Sequence, residues 1–200
     1  MEFESRIVKL STGALQDLWD AIKEACAAQH AVTIDLEGAS FSGRAVGLQI
    51  ALCEGTKATY DKAFNIAPKY PLTIQGGRID LGHYSILVSG GSCCFKQVEI
   101  SGGGPAWRQR TLASLMHATG RMTTLRLEDT TLHSSAQGPT NTLLVDNAAH
   151  VTLLRSKVCG YSGSLLPRGA NVMQPALQPL YLPLTREPFP LDRFRTATTH

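Results

Sequence analysis

Four short segments of this chain alternate apolar and polar residues and begin at residues 72, 98, 125 and 151, a nearly constant interval. They read Leu72-Thr73-Ile74-Gln75, Val98-Glu99-Ile100-Ser101, Leu125-Arg126-Leu127-Glu128 and Val151-Thr152-Leu153-Leu154. An earlier copy, Ile34-Asp35-Leu36-Glu37, precedes them by a longer interval. The Gly- and Lys-containing stretch from Glu54 to Lys69 reads as an insertion in that turn. Alternation with a period of two is the pattern of a strand with one buried face. Recurrence at a fixed spacing marks a solenoid, because one repeat cannot bury its own apolar side and must stack on its neighbours.

A second apolar position comes after most copies at a fixed interval: Phe41, Ile79, Leu132 and Val158. The Val98 copy breaks here, with Pro105 after three glycines. A third, looser set comprises Leu48 and Ile50, Ile86 and Val88, Leu115, then Leu143 and Val145. Three strand segments per repeat with glycine-rich corners suit a coil wound around a narrow core. Equivalent residues then stack at the ordinary strand separation of about 4.8 Å. The expected inward ladders are Ile34/Leu72/Val98/Leu125/Val151 and Leu36/Ile74/Ile100/Leu127/Leu153. The expected outward row is Asp35, Thr73, Glu99, Arg126 and Thr152.

Upstream, Leu15, Leu18, Trp19, Ile22 and Cys26 fall at helical spacing, with Ser11 or Thr12 as N-cap. A helix over residues 14–28 is expected to cover the open end of the stack, an edge that needs covering. Downstream, Pro167, Pro175, Pro179, Pro183, Pro188 and Pro190 are six of the ten prolines. Proline cannot donate to a ladder, so the coils are expected to stop near residues 161–166. The C-terminal region reads as an extended arm or a disordered end, and Leu177, Leu180, Tyr181, Leu182, Leu184, Phe189, Leu191 and Phe194 favour an arm that covers the end of the stack or docks on a partner.

These segments resemble the pectin lyase-like family of right-handed parallel β-helices. The resemblance rests on Val32-Thr33-Ile34-Asp35-Leu36-Glu37-Gly38, Leu72-Thr73-Ile74-Gln75-Gly76-Gly77 and Val98-Glu99-Ile100-Ser101-Gly102-Gly103, and spans residues 15–163. It implies an all-β fold: a short right-handed parallel β-helix of about five coils. Residues 1–30 would form an N-terminal strand and capping helix, 31–166 the β-helix, and 167–200 a Pro-rich extended C-terminal arm. The family includes polysaccharide lyases, hydrolases and epimerases, phage tailspikes and non-enzymatic interaction domains, so the fold alone does not choose an activity.

The enzymes' signatures are missing: the sequence has no Asp-Asp pair and no Gly-His-Gly. No catalytic residues, cofactor or metal are therefore expected. A carbohydrate-facing row would use Asp35, Glu99, Arg126 and Glu128, with Glu99 and Glu128 as a proton-donating and activating pair. The competing reading makes Glu99 and Arg126 cross-strand neighbours in a surface ion pair. His83, His117, His133 and His150 read as polar corner residues. Ser101-Gly102-Gly103-Gly104 is succeeded by proline rather than a helix, and so reads as a wide turn rather than a phosphate cradle. Trp107 beside Arg108 and Arg110 is either a partner anchor or a loop-packing residue.

Hydrophobic residues make up 43% and charged residues 18%, which places the chain among globular proteins. The net charge of +3 is scattered, so neither nucleic acid nor an anionic lipid surface is an expected partner. No stretch reaches the roughly 20 apolar residues of a membrane helix. Five cysteines without C-x-x-C spacing, and an acidic N-terminus without an apolar h-region, lead to an expectation of free thiols in the cytoplasm. Cys93-Cys94 should place one thiol inward and one outward, with a redox pair or metal site as the alternative. Together these features suggest a non-enzymatic scaffold or protein-interaction subunit of a larger intracellular assembly, with a cytoskeletal or ciliary complex as one natural home. A carbohydrate-active or carbohydrate-binding β-helix is the alternative, and polysaccharide is a partner only in that case.

Overall fold

The structure is a computed structural model and describes residues 5–11, 13–46, 51–52, 59–60, 63–102, 114–134, 141–160, 165–167 and 171–173. Strand β1 (Arg6–Lys9) leads into α1 (Leu15–Ala27), the one helix among the described residues, then β2 (Val32–Asp35) and β3 (Ser40–Phe41). Next come β4 (Ala51–Leu52), β5 (Thr59–Tyr60), β6 (Ala63–Ile66), β7 (Leu72–Asp80), β8 (Ser85–Val88) and β9 (Gly91–Gly102). The order ends with β10 (Ser114–Thr119), β11 (Thr123–Glu128), β12 (Thr131–Ser134), β13 (Asn141–Asp146), β14 (His150–Leu154), β15 (Lys157–Cys159), β16 (Leu165–Pro167) and β17 (Asn171–Met173).

The fold is all-β, built on parallel sheets. A ten-stranded sheet runs β1-β2-β7-β9-β11-β14-β17, with β3, β12 and β15 continuing it past a bend. A five-stranded sheet runs β6-β8-β10-β13-β16. From β6 onward the chain passes alternately between the two, and strands β4 and β5 form a separate antiparallel pair.

Buried side chains stack in register. One ladder is Val32/Leu72/Cys93/Leu125/Val151 and the next is Ile34/Ile74/Phe95/Leu127/Leu153. Past the bend the series is Phe41/Ile79/Ile100/Leu132/Val158, the last half-buried. Across the core, Phe64/Ile86/Met116/Leu143 and Ile66/Val88/Ala118/Val145 face them from the five-stranded sheet.

This register corrects the expected one. Leu72, Leu125 and Val151 do share a ladder, but Cys93 stands in it where the spacing predicts Val98. Val98 instead pairs with Gly77, on the far side of the bend. The reason is that β9 is a single long strand carrying both segments. Val98-Glu99-Ile100 alternates just as Cys93-Cys94-Phe95 does, so spacing alone selects the wrong half. Ile34 likewise pairs with Ile74, leaving Val32 beside Leu72.

Three further expectations change. Met116, not Leu115, is in register with Ile86 and Leu143. The supposed insertion contains β6, whose Phe64 and Ile66 belong to the core. Strand pairing also continues beyond residue 166: β16 pairs with β13 and β17 with β14. Among the described residues β16 is the last strand of its sheet, an edge position of the kind where a proline, lacking an N–H, is tolerated. Leu48 and Ile50 lie outside the described residues.

The bend between the two halves of the large sheet recurs at one place per turn of chain. Gly76 (φ 72), Gln97 (φ 55), Asp129 (φ 49) and Arg155 (φ 49) are all left-handed there. They come after Leu72, Cys93, Leu125 and Val151 at the same interval. Left-handed φ is costly for a residue with a Cβ, so the three non-glycine positions are held by the strands on either side.

Helix α1 buries Leu15, Leu18, Trp19, Ile22 and Ala25, all part of the same core. The Trp19 ring meets Phe64 edge-on at 5.2 Å. Its N-cap is Ala14, which supplies no side-chain oxygen, and not the expected Ser11; Thr12 lies outside the described residues. Instead the Leu15 N–H donates to the Ser42 carbonyl at 3.0 Å, so a strand-like contact satisfies one of the helix's orphan donors.

Candidate functional site

The outward side of the large sheet carries most of the residues expected to matter. Alternation sends Thr33, Thr73, Cys94, Arg126 and Thr152 out in one row, and Asp35, Gln75, Lys96, Glu128 and Leu154 in the next. Past the bend the outward row is Ser40, Arg78, Glu99, Thr131 and Lys157. The expected row is thus divided among three. Asp35 and Glu128 share a row but stand three strands apart, while Arg126 lies in a second row and Glu99 in a third, beyond the bend.

The four expected charges are all engaged. Glu99 meets Arg78 at 3.0 Å, not Arg126. Arg126 meets Glu128 at 3.1 Å, and Arg155 reaches Glu128 at 3.3 Å and Asp129 at 2.6 Å. Asp35 accepts from the Glu37 N–H at 3.0 Å and from Gln75 Nε2 at 3.2 Å. Those two bonds, the backbone one first, hold the Asp35 carboxyl below its ordinary range. The Arg155 hydrogen bond does the same for Asp129, and Asp129 in turn raises Arg155. A carboxyl held low stays ionised at neutral pH, which suits a structural anion and not a proton donor.

Cys93 points into the core and Cys94 outward, as expected for adjacent residues of a strand. Burial pushes both thiols up, Cys93 well above its ordinary value. A protonated thiol is a poor nucleophile and a poor metal ligand. Among the described residues Cys26, Cys93, Cys94 and Cys159 are free, and no group of three or more His, Cys, Asp or Glu could hold a metal ion. Trp107, Arg108, Tyr181, Phe189 and Phe194 lie outside the described residues.

The five-stranded sheet holds the site that sequence reasoning missed. Ile86, Val88, Met116, Ala118, Leu143 and Val145 point to the core, so Leu87, His117 and Leu144 point away from it. All three are nonetheless buried, at 2%, 0% and 2% exposure. On this face His117 Nε2 lies 3.1 Å from Asp146 Oδ1, a contact that becomes an ion pair only when the imidazole is protonated. Asn147 Nδ2 donates to Thr119 Oγ1 at 2.9 Å beside it. Burial pushes His117 below its ordinary value, against the opposing pull of Asp146. His117 is therefore a mid-strand residue fixed to the next turn of chain, not a corner residue. The available signal is its place one position after Met116, in a strand whose register the apolar spacing puts one residue off.

Compared with known proteins, the chain matches no family model, no curated protein and no solved structure. Among the described residues no helix is long and apolar enough to cross a membrane.

Proposed function

We propose that the chain is a short right-handed parallel β-helix of about five coils, pectin lyase-like in build, acting as a non-enzymatic scaffold or protein-interaction subunit of a larger cytoplasmic assembly. The observation that carries this reading is the pair of end strands that close the stack among the described residues. Among the described residues, strand β1 terminates the large sheet on one side, while β16 and β17 are the last strands of their sheets on the other. On β1, Arg6 donates to Ala31 and Leu10 to Asp35, so the intervening Ile7 and Lys9 turn their backbone groups to the open edge. Ile7 is also 61% exposed. A stack of parallel strands whose end strands meet no further described strand is suited to joining something else. Trp107, Arg108 and the arm residues Tyr181, Phe189 and Phe194 are the proposed anchors for protein partners.

Affinity capture from the native source, with the whole chain and with a chain lacking the residues after Pro167, tests this reading. Partners retained by the whole chain and lost on truncation are expected. Retention of the same partners by the truncated chain overturns the docking role of the arm.

The carbohydrate reading has weaker support, because Asp35, Glu99, Arg126 and Glu128 are spread over three rows, with Arg126 paired to Glu128, Glu99 to Arg78 and Asp35 to Gln75. It requires binding of an acidic polysaccharide that falls in Glu99→Gln or Arg126→Ala. The scaffold reading expects neither substitution to matter.

A further inference from the structure

The turns that carry the chain from the five-stranded sheet back into the large sheet follow one another along the stack, as the strands they enter do. They are residues 67–71 before β7, 89–90 before β9, 120–122 before β11 and 147–149 before β14, with 28–31 leading from α1 into β2. None of these segments contains an Asp or Glu. The one carboxylate adjoining them in sequence, Asp146, is buried against His117. Two of the turns expose a cation, Lys69 and Arg121, and among the described residues neither lies within ion-pair distance of a carboxylate. The bend of the large sheet is built differently, with Lys9 matched to Glu37 and Arg155 to Asp129. Apolar side chains accompany the unmatched cations. Met122, 84% exposed, stands next to Arg121 in the chain, and half-buried Tyr70 stands next to Lys69. Met, Tyr and Arg are enriched where proteins meet one another.

We propose that this row of turns binds an extended acidic segment of a protein partner, whose carboxylates meet Lys69 and Arg121. The strands that follow the two cations, β7 and β11, are separated by β9 alone, which makes two strand spacings, about 10 Å. An extended segment advances about 3.3 Å per residue, so acids three residues apart match that interval. The intervening turn reads Ser89-Gly90, followed by Gly91 and Ser92, and has no bulky side chain to hold a ligand away. Exposed His150 lies in register with Thr124, just past the Arg121 turn, and adds an imidazole one spacing further on. A nucleic acid fits less well, because two fixed cations neutralise too few phosphates to retain it. The proposal rests on the scaffold reading for the kind of partner, and it does not use the C-terminal arm.

Fluorescence anisotropy of a labelled peptide of repeated Glu-Leu-Gly, titrated with the whole chain, tests it. The wild type should bind the peptide, and a Lys69→Glu, Arg121→Glu variant should bind it about tenfold more weakly. Reversing Lys96 and Lys157 on the outer face of the large sheet, as Lys96→Glu and Lys157→Glu, should change the affinity by less than about twofold. Absence of wild-type binding, equal losses in the two variants, or tighter binding of an oligonucleotide or polygalacturonate of equal charge overturns the proposal. Carbodiimide coupling of the same peptide to the wild type decides without any variant. An amide joining a peptide carboxylate to Lys69 supports the site, and coupling only to other lysines overturns it. Loss of this surface would leave partner capture by the whole chain unchanged as a test of the scaffold reading.

Discussion

Asp129 and Arg155 occupy the same place in successive turns of the chain, both at φ 49, and their side chains join through contacts of 2.6 and 2.7 Å. The pair links two turns at the bend, where the backbone of each is under strain. Its folded-state consequence is an Asp129 carboxyl held low by the Arg155 hydrogen bond. A carboxyl whose folded value is depressed stabilises the fold above its unfolded value, and that contribution disappears as pH falls through the folded value. Asp129→Asn keeps the left-handed preference and removes the charge. The variant should unfold at lower urea concentration than the wild type at pH 7, with the two midpoints converging in strong acid. Urea titrations across pH measure this.

His117 gives the opposite kind of dependence on protonation, with the same sign in pH. Burial lowers its folded value. Below the unfolded value, about 6.5, the unfolded chain binds a proton that the folded chain resists, so stability falls as pH drops. His117→Gln should flatten the loss of stability between about pH 7 and 5. Thermal unfolding of both proteins over that range is the measurement, and parallel curves would contradict the assignment.

Gly91 and Gly82 separate two costs that a corner glycine avoids. Both are left-handed, at φ 67 and φ 55. A Cβ at Gly82 would meet open space, whereas one at Gly91 would land on the Pro68 carbonyl oxygen. Gly82→Ala should cost only backbone strain, about 1 kcal/mol. Gly91→Ala should cost clearly more, because the turn between β6 and β7 would have to shift away from the start of β9. Chemical denaturation of the two variants gives the comparison.

Phe95 lies in the middle of its ladder, fully buried between Ile74 and Leu127. Phe95→Ala should cost about 3–5 kcal/mol, the range for removing a buried aromatic ring. Glu99→Gln breaks only the exposed contact with Arg78 and should change stability by less than about 1 kcal/mol. Denaturation midpoints test both.

Much of the fold is legible in the sequence because period-two alternation and a repeated spacing are both consequences of stacking one strand on another. Leu125 over Val151 and Ile74 in line with Leu127 can be anticipated on that basis. Which half of β9 belongs with them cannot, since a bend without glycine, at Gln97, leaves no mark in the pattern. The same limit hides the second sheet's register by one residue, and with it His117 and Asp146. Charges on the outer face are visible as residues, but their pairings depend on register, so Glu99 with Arg126 gives way to Glu99 with Arg78 once the register moves.

The most direct measurement is the set of through-space proton contacts made by the Phe95 ring, observed by nuclear Overhauser spectroscopy. Stacked turns in the register described here predict cross-peaks from that ring to the methyls of both Ile74 and Leu127. A Phe95 ring silent toward both, with Val98 methyls touching Leu72 and Leu125 instead, would contradict the architecture on which the scaffold reading rests.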